Sequence, residues 1–221
     1  MKCGIADRQP VCIQDRQSVC QRGGISLNKK VQSGLETRRE IVAAATRLFA
    51  AQGYVAVSIE SVLAACQISR GALYHHFASK EALFEAVFEA MEVAIAEKVV
   101  ARSAGAGSAL AGLVAGCDAF LDLAADKAVR RIVLTDAPIA LGWEKWREID
   151  TRHGFGLLKA ALDQANRAGA LPAALTDSFA HMLLASLMEV ALLVARADDR
   201  PTALANGKGA IRTLLERVFG R

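Results

Sequence analysis

The side chains best suited to chemistry lie in one run, Arg70-Gly71-Ala72-Leu73-Tyr74-His75-His76-Phe77. A guanidinium, a phenol and two imidazoles share it with two residues almost without side chains. Arginine can fork onto guanine, alanine can touch a thymine methyl, and glycine lets a backbone come close to a duplex. The chemistry on offer is reading of base edges. Arg70, Ala72 and His75 are the candidates for base contact; Ser58, Tyr74, Lys80 and the backbone near Gly71 are those for phosphate. The plainer reading of Tyr74, His75 and His76 is surface and partial-core packing, and His76 is assigned to it. Successive residues on a helix diverge by about 100°, so the adjacent histidines cannot easily chelate one ion. His153 and His181 read as isolated, so no metal is expected.

The elements that must hold this run are legible around it. Ile59, Val62 and Leu63 form an apolar face at helical spacing behind a capping Ser58. Gln67-Ile68 makes the turn, Ser69 caps the next helix, and Leu73 and Phe77 face inward. Residues 58–77 thus read as two short helices joined by a tight turn. Upstream, Ile41, Ala44, Ala45, Leu48 and Phe49 give a helix over about Thr37–Gln52, with Thr37 and Glu40 as a capping box and Gly53 as a left-handed stop. Downstream, Ser79 caps a long helix whose free N–H groups and Lys80 ammonium could clamp a phosphate.

Ser58-Ile59…Val62…Ala65, Ile68 to Phe77 and Ser79-Lys80-Glu81-Ala82-Leu83 are similar to the DNA-binding domain of TetR-type transcriptional regulators. The match extends through Arg39-Glu40-Ile41, Ala44-Ala45, Leu48-Phe49 and Gly53-Tyr54, covering roughly 37–90. The resemblance implies an all-α protein: an N-terminal three-helix helix-turn-helix DNA-binding domain, 35–82, and a C-terminal helical ligand-binding and dimerisation domain, 83–221. One departure is visible. The family favours glycine in the turn where this chain has Gln67, and a non-glycine at positive φ costs on the order of 1 kcal/mol.

Composition agrees with a helical protein, since 53% of the 221 residues are hydrophobic, aromatics are 5% and Pro occurs 4 times. No apolar run approaches the ~18 residues of a membrane span, and the charged, Pro-containing start does not read as a signal peptide. A cytoplasmic protein with no membrane partner is expected. The net charge of +4 is matched by residues 1–34 alone, where Lys2, Arg8, Arg16, Arg22, Lys29 and Lys30 face only Asp7 and Asp15. This stretch lacks periodicity and is read as a disordered basic tail: a solvated segment, an over-long start, or an arm for the minor groove. The five cysteines are irregularly spaced and suggest no disulfide framework. Cys66 and Cys117 read as small core residues, with a redox role as the sharper alternative.

From Ser108 on, helical patterns occupy Ala109–Ala125, Lys127–Thr135, Trp143–Ala168, Thr176–Ala197 and Thr202–Phe219, after a breaker at Arg102–Ser108. The last two pair into a four-helix dimer bundle in the resembled family; here they are either that interface or simply core. The family also encloses a small molecule in this region. Phe120, Trp143, Trp146, Phe155 and Met182 are the side chains that could line such a site, with Arg147, Asp136 or His153 supplying polarity. The alternative is that both tryptophans are core or interface residues. No G-x-S-x-G elbow, P-loop or dinucleotide fingerprint occurs, so no catalytic residue and no cofactor is expected. The reading is a homodimeric regulator, a repressor released from a palindromic double-stranded DNA operator by an unknown small-molecule effector. A small helical enzyme or adaptor is the alternative.

Overall fold

Serine hydroxyls set the helix starts between residues 58 and 109. Ser58 Oγ accepts from the Ser61 N–H at 3.1 Å and opens α2, Ile59–Cys66. Ser69 accepts from the Ala72 N–H at 3.2 Å and opens α3, Arg70–His76. Ser79 accepts from the Ala82 N–H at 3.0 Å and opens α4, Lys80–Ser103, and Ser108 accepts from the Ala111 N–H at 3.1 Å and opens α5, Ala109–Ala124. Each bond satisfies an amide that the helix itself leaves without a partner.

The computed structural model describes residues 17–220, and the side chains of 31–167 and 169–220. Among these every regular element is helical. α1, Gln17–Gln52, precedes the elements above. After α5 a π-helical segment, Val129–Asp136, runs into α6, Ala137–Ala140. α7, Trp143–Asp150, continues through a π turn at Thr151–Phe155 into α8, Gly156–Ala165. α9, Ala173–Arg196, and α10, Arg200–Phe219, close the chain.

The low periodicity of residues 1–34 predicts a disordered tail, but α1 reaches back to Gln17. No proline interrupts 17–52, and a glycine inside a helix costs only about 1 kcal/mol relative to alanine. Residues 1–16, with Cys3 and Cys12, lie outside the described residues. Because the helix continues upstream, Thr37 is not a cap: its hydroxyl donates to the Ser33 carbonyl at 3.0 Å, four residues back. The helical residues up to Glu40 group apart from Ile41–Arg221, which is one compact unit.

Gly53 ends α1 as its pattern predicts, at φ 84° with its N–H donating to Phe49 O at 2.8 Å. In α2 the last turn closes on Gln67, at φ 54° and ψ 38°, whose N–H donates to Leu63 O. This is the left-handed conformation that the family's glycine would adopt without a steric cost.

The buried faces follow the apolar spacing. Ile41, Ala45 and Phe49 of α1, Val62 of α2, Leu73 of α3 and Phe77 after it meet Leu83, Phe84, Val87 and Phe88 of α4. Phe49 and Phe84 pack edge to face at 5.0 Å. Burying each such side chain contributes roughly 1.5–3 kcal/mol, which holds the seven-residue α3 that its own hydrogen bonds would not. The expected domain edge at 82/83 falls inside α4, whose buried face runs on to Ile95, and the predicted seam at Arg102–Ser108 is the turn from α4 to α5.

α9 corrects one expectation. It is long and apolar enough by composition to cross a membrane, because Asp177, His181 and Glu189 break the apolar run without offsetting it. One face, including Ala180, Leu183, Leu187 and Ala191, is buried in the helical body.

Gln67→Gly is expected to stabilise the protein by about 0.5–1 kcal/mol, since it removes the Cβ clash of the left-handed turn. A urea unfolding midpoint that does not rise would contradict this account of the turn.

Candidate nucleic-acid interface and enclosed cavity

α3 turns Leu73 into the core and leaves the rest of its surface outward. Arg70, Gly71, Tyr74 and His75 are exposed, while Ala72 and His76 are half-buried. Open space surrounds the position where a Gly71 Cβ would be. The guanidinium of Arg70 is ion-paired to Glu60 of α2, and backbone hydrogen bonding, then that pair, holds the Glu60 carboxyl below its ordinary range. The face expected to read bases is therefore free of the protein's own packing, with its arginine held by one surface carboxylate. Ser58 is exposed and engaged as the α2 cap. Lys80 sits over the Tyr54 ring at 4.4 Å and its Nζ donates to Val55 O at 3.3 Å, which fixes the ammonium beside the N-terminus of α4.

A cavity of about 90 Å³ lies among α4, α5, the Val129–Asp136 segment, α7, α8 and α9. Phe120 and Trp146 line it, as expected, and Leu113, Val133, Leu158 and Leu184 complete much of its apolar wall. Four expected lining residues do not. Trp143 is 62% and Met182 65% exposed. Arg147 lies over the Trp143 and Trp146 rings, 4.9 Å from each, and donates to Asp150 at 3.0 Å. Phe155 is buried and stacks on His181 at 4.4 Å. Met188, two helical turns beyond His181, takes the place expected of Met182.

Two carboxylates on the cavity wall were not anticipated. Glu92 is 5% and Asp150 6% exposed. Burial, and the charge of Asp150 next, push the Glu92 carboxyl up to about 8, so it is mostly protonated at neutral pH. Burial raises Asp150 as well, opposed by Arg147 and His181. Burial and Asp118 push the Cys117 thiol, also on the wall, up to about 12, which makes it a poor thiolate. Among the described residues no three His, Cys, Asp or Glu group as a metal site would.

The sequence profile described as "Bacterial regulatory proteins, tetR family" matches residues 41–87, and that of a "Tetracyclin repressor-like, C-terminal domain" matches 110–218. A TetR-family transcriptional regulator from Pectobacterium atrosepticum superposes with a TM-score of 0.71 at 30% identity, covering 86% of this chain and 97% of that one. The chain belongs to the TetR family. The "HTH-type transcriptional regulator UidR" of Escherichia coli K12 is 45% identical over 49 residues, 22% of this chain and 25% of that regulator, so its likeness reaches only a quarter of its length. RolR in complex with resorcinol has the same fold, with a TM-score of 0.64, 15% identity and coverage of 86% and 96%. The TetR relatives are regulators of transcription and not enzymes. In this TetR chain the helix-turn-helix lies at 59–76, inside the matched 41–87, and α4, α5, α7, α8 and α9 supply most of the cavity wall.

The unexpected carboxylates had a signal in the sequence. Glu92 interrupts the inward face Phe88, Met91, Ile95 of α4, and Asp150 follows Trp146 by one turn. A carboxyl whose folded value is raised gives stability that is full below its unfolded value near 4.5 and is lost as pH rises toward about 8. The folding constant is therefore expected to fall by up to about tenfold per pH unit between pH 5 and 8 from this group. Glu92→Gln should flatten that part of the profile, and equal slopes in urea titrations of both proteins would contradict it.

Proposed function

We propose that this TetR-family regulator is a homodimeric, cytoplasmic repressor that leaves a palindromic operator when a small molecule fills the cavity. The observation that carries the DNA side is the outward face of α3, with Arg70, Tyr74 and His75 exposed over the buried Leu73. Arg70 exchanges Glu60 for guanine, Ala72 and His75 meet neighbouring bases, and Ser58, Tyr74, Lys80 and the Gly71 backbone meet phosphate. A two-fold dimer presents two such helices, which makes the operator palindromic. Access to the chromosome requires the cytoplasm.

The dimer is supported by α9. Leu175, Met182 and Leu193 are 52%, 65% and 57% exposed. Their spacings of seven and eleven residues bring them within about 20° of one line on a helix. Leu214 of α10 is 39% exposed, and α10 packs directly on α9. A second copy of this stripe is the fitting cover for an apolar line of this kind. Binding of resorcinol by RolR, of the same fold, supports a small molecule as the occupant of the enclosed site.

A route from cavity to DNA runs through the π-helical segment. Val133 is on the cavity wall. Three residues on, Asp136 Oδ2 accepts the Tyr54 N–H at 2.7 Å. Arg131 donates to Gln52 O at 3.1 Å and pairs with Asp136 at 3.4 Å. Its guanidinium occupies the space that a side chain at Gly53 would need. An effector that moves Val133 moves the end of α1, and it shifts the equilibrium only if it binds the DNA-incompetent state more tightly.

Selection from a random DNA pool is expected to return a palindrome, bound more weakly as salt rises. Arg70→Ala should lose about 1–3 kcal/mol on that site and relax its base preference; unchanged affinity and preference would overturn the assignment. Asp136→Ala should keep operator binding and effector binding while operator release by the effector drops. Release with full wild-type amplitude would remove the π-helical segment from the route.

A further inference from the structure

The polar groups of the cavity carry the wrong sign for a self-contained core. Glu92 is buried, and among the described residues it has neither a hydrogen bond nor an ion pair. Its neighbour Asp150 has the Arg147 guanidinium at 3.0 Å. Gly154, at the π turn before α8, lies against both: a Cβ there would be 3.1 Å from Asp150 Oδ1 and 3.2 Å from Glu92 Oε2. The two carboxylates therefore converge on one point that has no side chain. A third group is orphaned beside them. Trp146 is 5% exposed, lines the cavity, and its indole N–H has no acceptor. Around these the wall is apolar, built by Leu113, Phe120, Val133, Leu184 and Leu187.

We propose that the molecule taken by this cavity is a hydrophobic amine, whose protonated nitrogen sits between Glu92 and Asp150 beside Gly154. The inference rests on the effector reading of the cavity given above. An ammonium supplies the positive charge that the pair lacks, since Arg147 answers only Asp150. Its hydrocarbon body replaces water against the apolar wall. A carboxylate or phosphate ligand would instead meet two buried acids. The volume of about 90 Å³ is smaller than the roughly 150 Å³ that takes a benzene ring, so an aromatic amine enters as the helices part.

Charge accounting makes the proposal specific. With the cavity empty, Glu92 holds its proton at neutral pH. The incoming ammonium displaces that proton to solvent and pairs with the carboxylate. Arg147 of α7 and His181 of α9 act on Asp150, and Cys117 of α5 lies on the same wall. His153 of the π turn is engaged with Glu89, which also pairs with Arg152. Amine affinity should therefore rise with pH up to about 8, by at most about tenfold per unit. A neutral ligand that accepts a hydrogen bond from protonated Glu92 has the opposite dependence.

The test is calorimetric titration of the full chain with benzylamine, benzyl alcohol and benzoate at pH 6, 7 and 8. Benzylamine is expected to bind at least tenfold more tightly than benzyl alcohol at pH 8, to gain affinity from pH 6 to 8, and to release about one proton. Benzoate should be the weakest. Glu92→Gln should abolish the preference for the amine and its pH dependence. Equal or weaker binding of the amine relative to the alcohol in the wild type overturns the proposal, as does an unchanged preference in Glu92→Gln. Operator release in the same samples separates the two readings. An amine that binds in this way without releasing the operator supports the ligand class and removes the regulatory role. Release by benzyl alcohol or benzoate alone keeps the regulatory role and overturns the amine.

Discussion

The carboxylate of Asp136 is the constraint that ties the cavity wall to the end of α1. It accepts the Tyr54 amide at 2.7 Å from the end of a π-helical segment and is steadied there by Arg131. Tyr54 in turn lies 4.7 Å from Phe84 and 6.0 Å from Phe49, and carries Lys80 over its ring. One short stretch of chain thereby links the wall of the cavity, the stop of α1 and the start of α4. The π geometry serves this link. Asp126 holds the first turn of the segment by accepting from the Ala128 and Val129 amides. Gly53 belongs to the same arrangement, because its left-handed φ ends α1 while its missing side chain admits the Arg131 guanidinium.

Most of the fold was legible because its instructions are local. Ser58, Ser69 and Ser79 each stand one residue before an apolar periodicity, and each is found as a cap. Leu73 and Phe77 fall inward because i and i+4 share a helix face. The glycine that the family favours at the turn raised the question of a positive φ at Gln67, and it is there despite the residue type. The upstream reach of α1 was not legible. Val31 and Leu35 lie on it without being buried, so no apolar stripe announces that part of the helix.

The cavity was only half legible, for a different reason. Helical phase says that a residue points inward; it does not say whether inward means core, cavity or a partner. Phe120 and Trp146 share the inward phase and reach the cavity, whereas Trp143 and Met182 are equally large and point out. Trp143 and Trp146 are one turn apart and their rings lie 5.0 Å from each other, yet Trp143 stays at the surface, where Arg147 lies over both rings. Size and spacing were available in the sequence. The crossing of α4, α5 and α9 that decides which inward residues bound empty space was not.

The buried carboxyl of Glu92 and the unpartnered indole N–H of Trp146 lower stability, since burying a polar group without its full set of hydrogen bonds costs roughly 1–3 kcal/mol in proteins. A core selected for stability alone would place leucine at such positions. Glu92 and Asp150 both pack against Gly154, where even a Cβ would be tight. On the proposal above, a ligand that pairs with Glu92 would recover part of that free energy, and it would move the helix-turn-helix only by binding one conformation more tightly than the other.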